Sequence, residues 1–398
     1  MVRRSQFMAE LGTRWAPLSE VTGAPVSLRH GVALLRTAEP EATVLWLVGP
    51  QITVLAYGIP TYREPMMPLD SDAGLDAYAR MQLIRHFEEM IRSLHGAGKL
   101  PGFMHVSVGQ EAVPVGVSLA LRPDDYIATT HRGHGDVIAK GVEVEGMFAE
   151  LFARAGGVCR AKGGSMHITD FSKGVLGAFS IVAAGLPIAV GAGLAMRRRG
   201  RDTVVVAHFG DGAIAQGATH ESLNMATLWR LPVIFVRHNN QYAESTPTRD
   251  YQGIPDVVDY AATYGMPAHE VDGNDVEAVF DAASEAIHRA RVGDGPTFLE
   301  CQTYRWYGHN IGDPGAGRPE DEVAAWKARD PIASWRSTLL ERAFVDEDQL
   351  LGIDRGIERR IETAIEAAEA MPDPPLEWAL EDVYSDPAVL EVVGGGLR

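Results

Sequence analysis

The sequence predicts an α/β fold: a parallel sheet flanked by helices on both faces, with a small N-terminal extension and a helical C-terminal tail. Apolar runs of strand length, TVVVAHF (203–209), VIFVR (233–237) and TFLECQTY (297–304), alternate with helical segments at 186–196, 218–229 and 278–291. Such alternation builds right-handed βαβ units with parallel strands. The chain has 398 residues and is 46% hydrophobic, enough for one large α/β domain with additions, or for two domains.

The elements follow in order. Residues 1–65 read as strands and turns ending in a proline-rich linker, PTYREPMMP (60–68). They form either a small appendage or a segment ahead of a true start at Met66 or Met67. The most apolar window, VLWLVGPQITVLAYG (44–58), is too short for a membrane helix and is broken by Gly49-Pro50. It is expected to be a hairpin turning at GPQ. A helix starts at Ser71 as its cap, carries Ile84, Phe87, Ile91 and Leu94 on one face, and ends at His95-Gly96. Gly98 to Gly185 reads as a glycine-rich, polar middle containing His105, His131, His134 and His167. The three βα units follow, and the last 80 or so residues are helical and acidic. The expected division is 1–65, 66–315 and 316–398.

Several function classes are excluded. A net charge of −17 gives nucleic-acid binding no electrostatic support. The one basic run, RRRGR (197–201), suits the C-terminus of a helix. Cys159 and Cys301 form no CxxC motif, so zinc-ribbon and dithiol readings fail. Two cysteines and an N-terminus without an apolar signal region point to the cytoplasm.

The chemistry is carried by GDGAIAQG (210–217) and HNNQY (238–242), separated by one helix and one strand. In a βαβ unit both following loops emerge at the carboxyl edge of the sheet, where ligands bind. Asp211 then offers a carboxylate oxygen, Asn240 an amide oxygen and Tyr242 its carbonyl. Three hard oxygens suit Mg2+, which takes its remaining ligands from phosphate and water. Gly210 and Gly212 let phosphates approach the backbone, and the N-terminus of the next helix favours an anion. The pattern therefore reads as a magnesium-diphosphate site. The glycines do not match GxGxxG, which argues against a dinucleotide oxidoreductase, and no Walker lysine motif exists.

The same GDG-to-NN spacing resembles that of thiamine diphosphate enzymes. KGGSMHITD (162–170), GVLGAFSIVAAGLPIAVGAGLA (174–195), NMATLWRLPVIFVRHNNQY (224–242), TYRWYGHNIGDPG (303–315) and LEWALEDVYSDP (376–387) are similar to the alpha subunit of 2-oxo acid dehydrogenases, the pyruvate, branched-chain and acetoin type. The resemblance covers residues 75–390 or so. It implies the thiamine diphosphate-binding fold, with Mg2+ on Asp211, Asn240 and the Tyr242 carbonyl. It puts Gly210, Gly212 and the Gly212 and Ala213 amides at the diphosphate, with His131 and Arg132 beside them. Ser180 and Val182 would meet the aminopyrimidine. His309, His134 and His105 would be the catalytic histidines near substrate and cofactor. Phe179-Ser180 departs from the acetoin type, Asn310 replaces a phosphorylated serine of animal relatives, and His238 is at a variable position.

The resemblance implies oxidative decarboxylation of a 2-oxo acid, pyruvate or branched-chain, with acyl transfer to a lipoyl-bearing acyltransferase partner. Acetoin cleavage is the alternative. A non-catalytic scaffold subunit is disfavoured by the intact Asp211, Asn240, Arg132 and His309. Forming the cofactor carbanion needs a glutamate from a pyrimidine-binding domain, and the C-terminal tail is too short for one. A beta subunit, in an α2β2 heterotetramer, is therefore expected to supply it.

Overall fold

The computed structural model describes residues 32–35, 43–46, 68–253 and 256–382. The chain divides into two compact units, Met1–Met66 and Met67–Arg398. In the first, β1 (Val32–Leu35) pairs antiparallel with β2 (Thr43–Trp46). The strand expected from VLWLV is thus present, but its partner is β1. The segment ITVLAYG, expected to complete the hairpin, lies outside the described residues.

The second unit opens with α1 (Ser71–Gly96). Its cap is Asp70 and not Ser71: Asp70 Oδ1 accepts from the Ala73 amide at 2.9 Å, which places Ser71 in the first turn. Then come α2 (Ala112–Ala120), β3 (Tyr126–Thr130), α3 (His134–Ala139), α4 (Val144–Leu151) and β4 (Val175–Phe179). The middle expected to be glycine-rich and polar holds two strands and three α-helices. Its helix α2, AVPVGVSLA, is apolar all round and almost wholly buried, so it carries no amphipathic period. The glycines of this middle are densest at residues 156–164. There the buried Glu150 carboxylate accepts from the amides of Cys159, Ala161, Gly163 and Gly164 at 2.8–3.0 Å and fixes the loop.

The expected βα alternation follows, with α5 (Gly185–Arg198), β5 (Val205–Gly210), α6 (Gly217–Leu228) and β6 (Val233–Asn239). A two-residue ribbon, β7 (Tyr242–Ala243) with β8 (Thr246–Pro247), leads into the short helices α7 (Thr248–Tyr251) and α8 (Val257–Ala262). An edge strand β9 (Ala268–Asp272), helix α9 (Val276–Arg291) and β10 (Thr297–Gln302) complete the sheet. The tail forms α10 (Glu320–Lys327), α11 (Pro331–Glu341) and α12 (Glu347–Ala370).

The six strands run parallel in the order β4-β3-β5-β6-β10-β9. Side-chain alternation splits the core in two. Val206, Ile234, Val236 and Leu299 face α1, α2 and α9, while Val205, Phe209, Phe235 and Phe298 face α5, α6 and α8. The tail is part of the first layer: Leu350, Ile361 and Ala364 of α12 are buried in the same cluster as Tyr78, Ile84 and Phe87 of α1. After β3 the chain steps to β4 on one side, then back past β3 to β5 on the other. The direction of winding reverses between β3 and β5, the position where open α/β sheets bind ligands.

Candidate active site at the carboxyl edge of the sheet

At that reversal lies a cavity of about 400 Å³. The loops after β3, β4, β5, β6 and β10 all contribute to its wall. Such a volume suits a small organic cofactor.

The loop after β5 is a 3₁₀ turn, Asp211–Ala215, and α6 begins only at Gly217. The Gly212 and Ala213 amides belong to this turn, ahead of the helix. Asp211 Oδ2 accepts from the hydroxyls of Thr248 and Tyr251, both at 3.1 Å. Underneath, Arg237 of β6 donates to the Asp211 carbonyl at 3.3 Å and to Glu300 at 2.7 Å. Gly212 has a packing reason: an added Cβ would come within 2.9 Å of Ala243. At Gly210 an added Cβ would meet nothing within 4 Å, so packing within the chain gives no reason for that glycine.

Asn240 leaves β6 with its Oδ1 accepting from the Tyr242 amide at 3.3 Å and its Nδ2 donating to Gln110 at 3.3 Å. Gln241 between them has φ 74°, so the chain reverses there. Asp211, Asn240 and Tyr242 all line the cavity. The Tyr242 carbonyl is 3.5 Å from Arg305 Nη1, and the adjoining Glu244 carbonyl accepts from Arg305 Nη2 at 2.7 Å.

Opposite these oxygens lies a cationic and imidazole wall. Arg132, in the loop after β3, donates to the carbonyls of Val106 and His309 at 2.8 Å each. His105, His131 and His309 pack ring to ring, with centroids 4.6, 4.9 and 5.6 Å apart. Burial, and then the Arg132 charge, push His105 down to about 3, His131 to about 2 and His309 to about 4. All three are neutral near pH 7, able to accept or to donate one hydrogen bond each. The Arg132 guanidinium is itself pushed down to about 9, by burial and then by Arg305. The Asp313 carboxylate shapes the loop that carries His309, accepting from its amide at 2.6 Å.

Ser180 and Val182 form the rim. Val182 is 48% and its neighbour Ile181 73% exposed. His134 is the one expected residue placed away from the cavity lining. It is only 1% exposed; its Nδ1 meets Glu88 at 2.9 Å and its Nε2 meets Ser165 at 3.0 Å. Glu88 also accepts from the Ser107 amide and hydroxyl, so His134 braces a wall residue from behind. Sequence reasoning missed Gln110, Arg305, Glu88 and the trio Asp136, His208 and His238. For His208 a signal existed: a polar residue inside an otherwise apolar strand.

The donor set fits a magnesium-bound diphosphate on the strength of its own chemistry. Two guanidiniums, the half-buried Arg132 and the buried Arg305, share a cavity with hard oxygens from Asp211, Asn240 and Tyr242. Burial, and then the charge of Arg318, push Arg305 down to about 10, so an anionic ligand would relieve this wall.

A model of the family described as dehydrogenase E1 component matches residues 79–377. The chain belongs to this family. It is 46% identical over 320 residues to the alpha subunit of acetoin:2,6-dichlorophenolindophenol oxidoreductase from Cupriavidus necator, covering 80% of this chain and 96% of that one. The Bacillus subtilis protein of the same name is 44% identical over 319 residues, 80% of this chain and 95% of that one. The alpha subunit of the pyruvate dehydrogenase E1 component from Rhizobium meliloti is 41% identical over 310 residues, 78% of this chain and 89% of that one. This chain is accordingly an alpha-type E1 dehydrogenase subunit, an oxidoreductase component of the thiamine diphosphate-dependent kind. Among the described residues no helix is long and apolar enough to cross a membrane.

Proposed function

We propose that this E1 alpha subunit carries out, with a beta subunit in an α2β2 assembly, the oxidative decarboxylation of a 2-oxo acid. Pyruvate or a branched-chain 2-oxo acid is the substrate, and the acyl group passes to a lipoyl-bearing acyltransferase. The observation that carries this reading is the convergence of Asp211, Asn240, Tyr242, Arg132 and Arg305 on one cavity. The cytoplasm is the proposed compartment, in keeping with two unpaired cysteines.

When bound, thiamine diphosphate supplies the nucleophilic carbon and electron sink for cleavage beside a carbonyl. Asp211, Asn240 and the Tyr242 carbonyl would hold Mg2+ against the diphosphate. Arg132 and Arg305, with the Gly212 and Ala213 amides, would neutralise its charge. Gly210 would leave room for it, and Ser180 and Val182 would meet the aminopyrimidine. His309 and His105, both neutral, would hydrogen-bond the substrate carbonyl and carboxylate and move protons there. His131 completes the imidazole wall against the cofactor. His134 holds Ser107 in place through Glu88.

Among the described residues, Glu244 is the only glutamate lining the cavity, and it sits two positions after Tyr242 at the metal end. On this reading a beta subunit brings the glutamate for the aminopyrimidine end, and the exposed Ile181 and Val182 suit a covered rim. Acetoin is the second reading, favoured by the 46% and 44% identities to acetoin-oxidising alpha subunits. The test is to express the chain with and without the beta subunit and assay pyruvate, branched 2-oxo acids and acetoin with 2,6-dichlorophenolindophenol as acceptor. Turnover of a 2-oxo acid by the pair alone is expected. Exclusive turnover of acetoin establishes the second reading, and comparable turnover by the lone chain overturns the shared-site assignment.

A further inference from the structure

A second group of metal-ligating side chains lies at the same sheet edge, and the cofactor roles above do not use it. Asp136 stands in α3, His208 inside β5 and His238 inside β6. His208 is 2% and Asp136 4% exposed. His208 Nδ1 lies 2.9 Å from His238 Nε2 and 3.5 Å from Asp136 Oδ1, and that same oxygen is 3.6 Å from His238 Nε2. A point equidistant from three atoms with these spacings is about 1.9 Å from each, just short of a zinc–nitrogen or zinc–oxygen bond. An ion slightly out of their plane therefore meets all three donors without moving them.

The geometry points to a three-ligand site for a borderline divalent transition metal, Zn2+ foremost, on Asp136, His208 and His238, with its open position facing the cavity. Asp136 Oδ1 is buried with no hydrogen-bond partner, whereas Oδ2 accepts from Thr129 Oγ1. Burial pushes the Asp136 carboxyl above its ordinary value, and its orphaned oxygen faces two imidazoles, so a cation there would let it ionise. The Thr129 hydroxyl is the outer contact that commonly orients a ligating carboxylate. Burial keeps both imidazoles neutral, so each offers a lone pair once the proton shared in their 2.9 Å contact sits on an outer ring nitrogen. Two imidazoles and one carboxylate select against Mg2+, which prefers oxygen throughout. The donor set shares no residue with Asp211, Asn240 and Tyr242, so the site stands whether or not the cofactor assignment does. Its ion would tie the loop after β3 to β5 and β6, the strands that present Asp211 and Asn240.

The test uses the full chain, stripped with chelator, then titrated with Co2+ and Zn2+ in excess Mg2+. One ion per chain is expected, with the visible bands of low-coordinate Co2+ and X-ray absorption showing two imidazole ligands. H208Q, H238Q and D136N should each weaken binding at least about a hundredfold. D211N should leave it unchanged. No stoichiometric binding by the wild-type chain, or a spectrum without imidazole ligation, overturns the site without recourse to any variant. Equal binding by the three ligand variants, checked for native circular dichroism, overturns it as well. Loss of binding in D211N alone assigns the ion to the magnesium site and also overturns it.

Discussion

Arg132 donates to the backbone carbonyl of His309 at 2.8 Å, tying the loop after β3 to the loop after β10. The same guanidinium holds the Val106 carbonyl, at 2.8 Å. One planar fork thus fixes two of the three walls that carry His105, His131 and His309. Arg132→Lys keeps the charge but not the fork. Each charge-assisted hydrogen bond lost is worth about 1.5–3 kcal/mol. Thiamine diphosphate affinity of the complex is expected to fall roughly 10- to 100-fold, with kcat falling as well because His309 loses its fixed position. Calorimetric titration with the cofactor and steady-state kinetics check this.

Asp211→Asn should separate cofactor binding from folding. The Thr248 and Tyr251 hydroxyls, each 3.1 Å from Oδ2, can still donate to an amide oxygen. The variant is expected to keep the native melting temperature without cofactor. It should lose the rise in melting temperature that Mg2+ and thiamine diphosphate give the wild type. A thermal-shift series with and without both ligands measures it.

Beneath that loop, Arg237 is fully buried and paired with Glu300 at 2.7 Å. Asn239 donates to the same Glu300 oxygen at 2.8 Å. Arg237→Met removes one partner and leaves a buried carboxylate uncompensated, a loss of about 3–5 kcal/mol. The double variant Arg237→Met/Glu300→Leu should recover most of it, because no buried charge remains. Urea denaturation of the three proteins decides between them.

The histidine wall predicts acid sensitivity. His105, His131 and His309 are all pushed well below their ordinary value of 6.5, chiefly by burial. The unfolded chain then takes up protons that the folded chain refuses. Their contribution to stability is complete above 6.5 and declines as the pH falls toward about 4 for His309 and lower still for the other two. Denaturation midpoints should drop between pH 6.5 and pH 5. His131→Phe should flatten that drop.

Much of the fold was legible because three strands, β5, β6 and β10, are buried on both faces and so appear as mostly apolar runs. The residues proposed for magnesium, with Gly212 and Ala213, were legible for a related reason: they follow β5 or β6, where chain direction alone puts them at the carboxyl edge. By contrast β3, β4 and β9 were not legible. YIATT is short and ends in threonines, VLGAF is split by Gly177, and AHEVD is a polar edge strand. Their strand character comes from neighbours in the sheet, and periodicity carries no trace of that.

Sequence by itself determined the fold class and the residues presented by the βαβ unit, because local periodicity and a fixed handedness suffice for them; the family was legible in the resemblance of whole motifs. Tertiary structure decided which polar groups meet. His134 and Arg132 are two residues apart in the chain, yet one is sealed behind the wall with Glu88 while the other reaches across to His309. Asp136, His208 and His238 come from three separate elements. Their donor atoms converge only because β3 and β5 are adjacent where the winding of the sheet reverses. Side-chain proximity across parallel strands depends on strand order and register, which are set by long-range pairing of the whole chain.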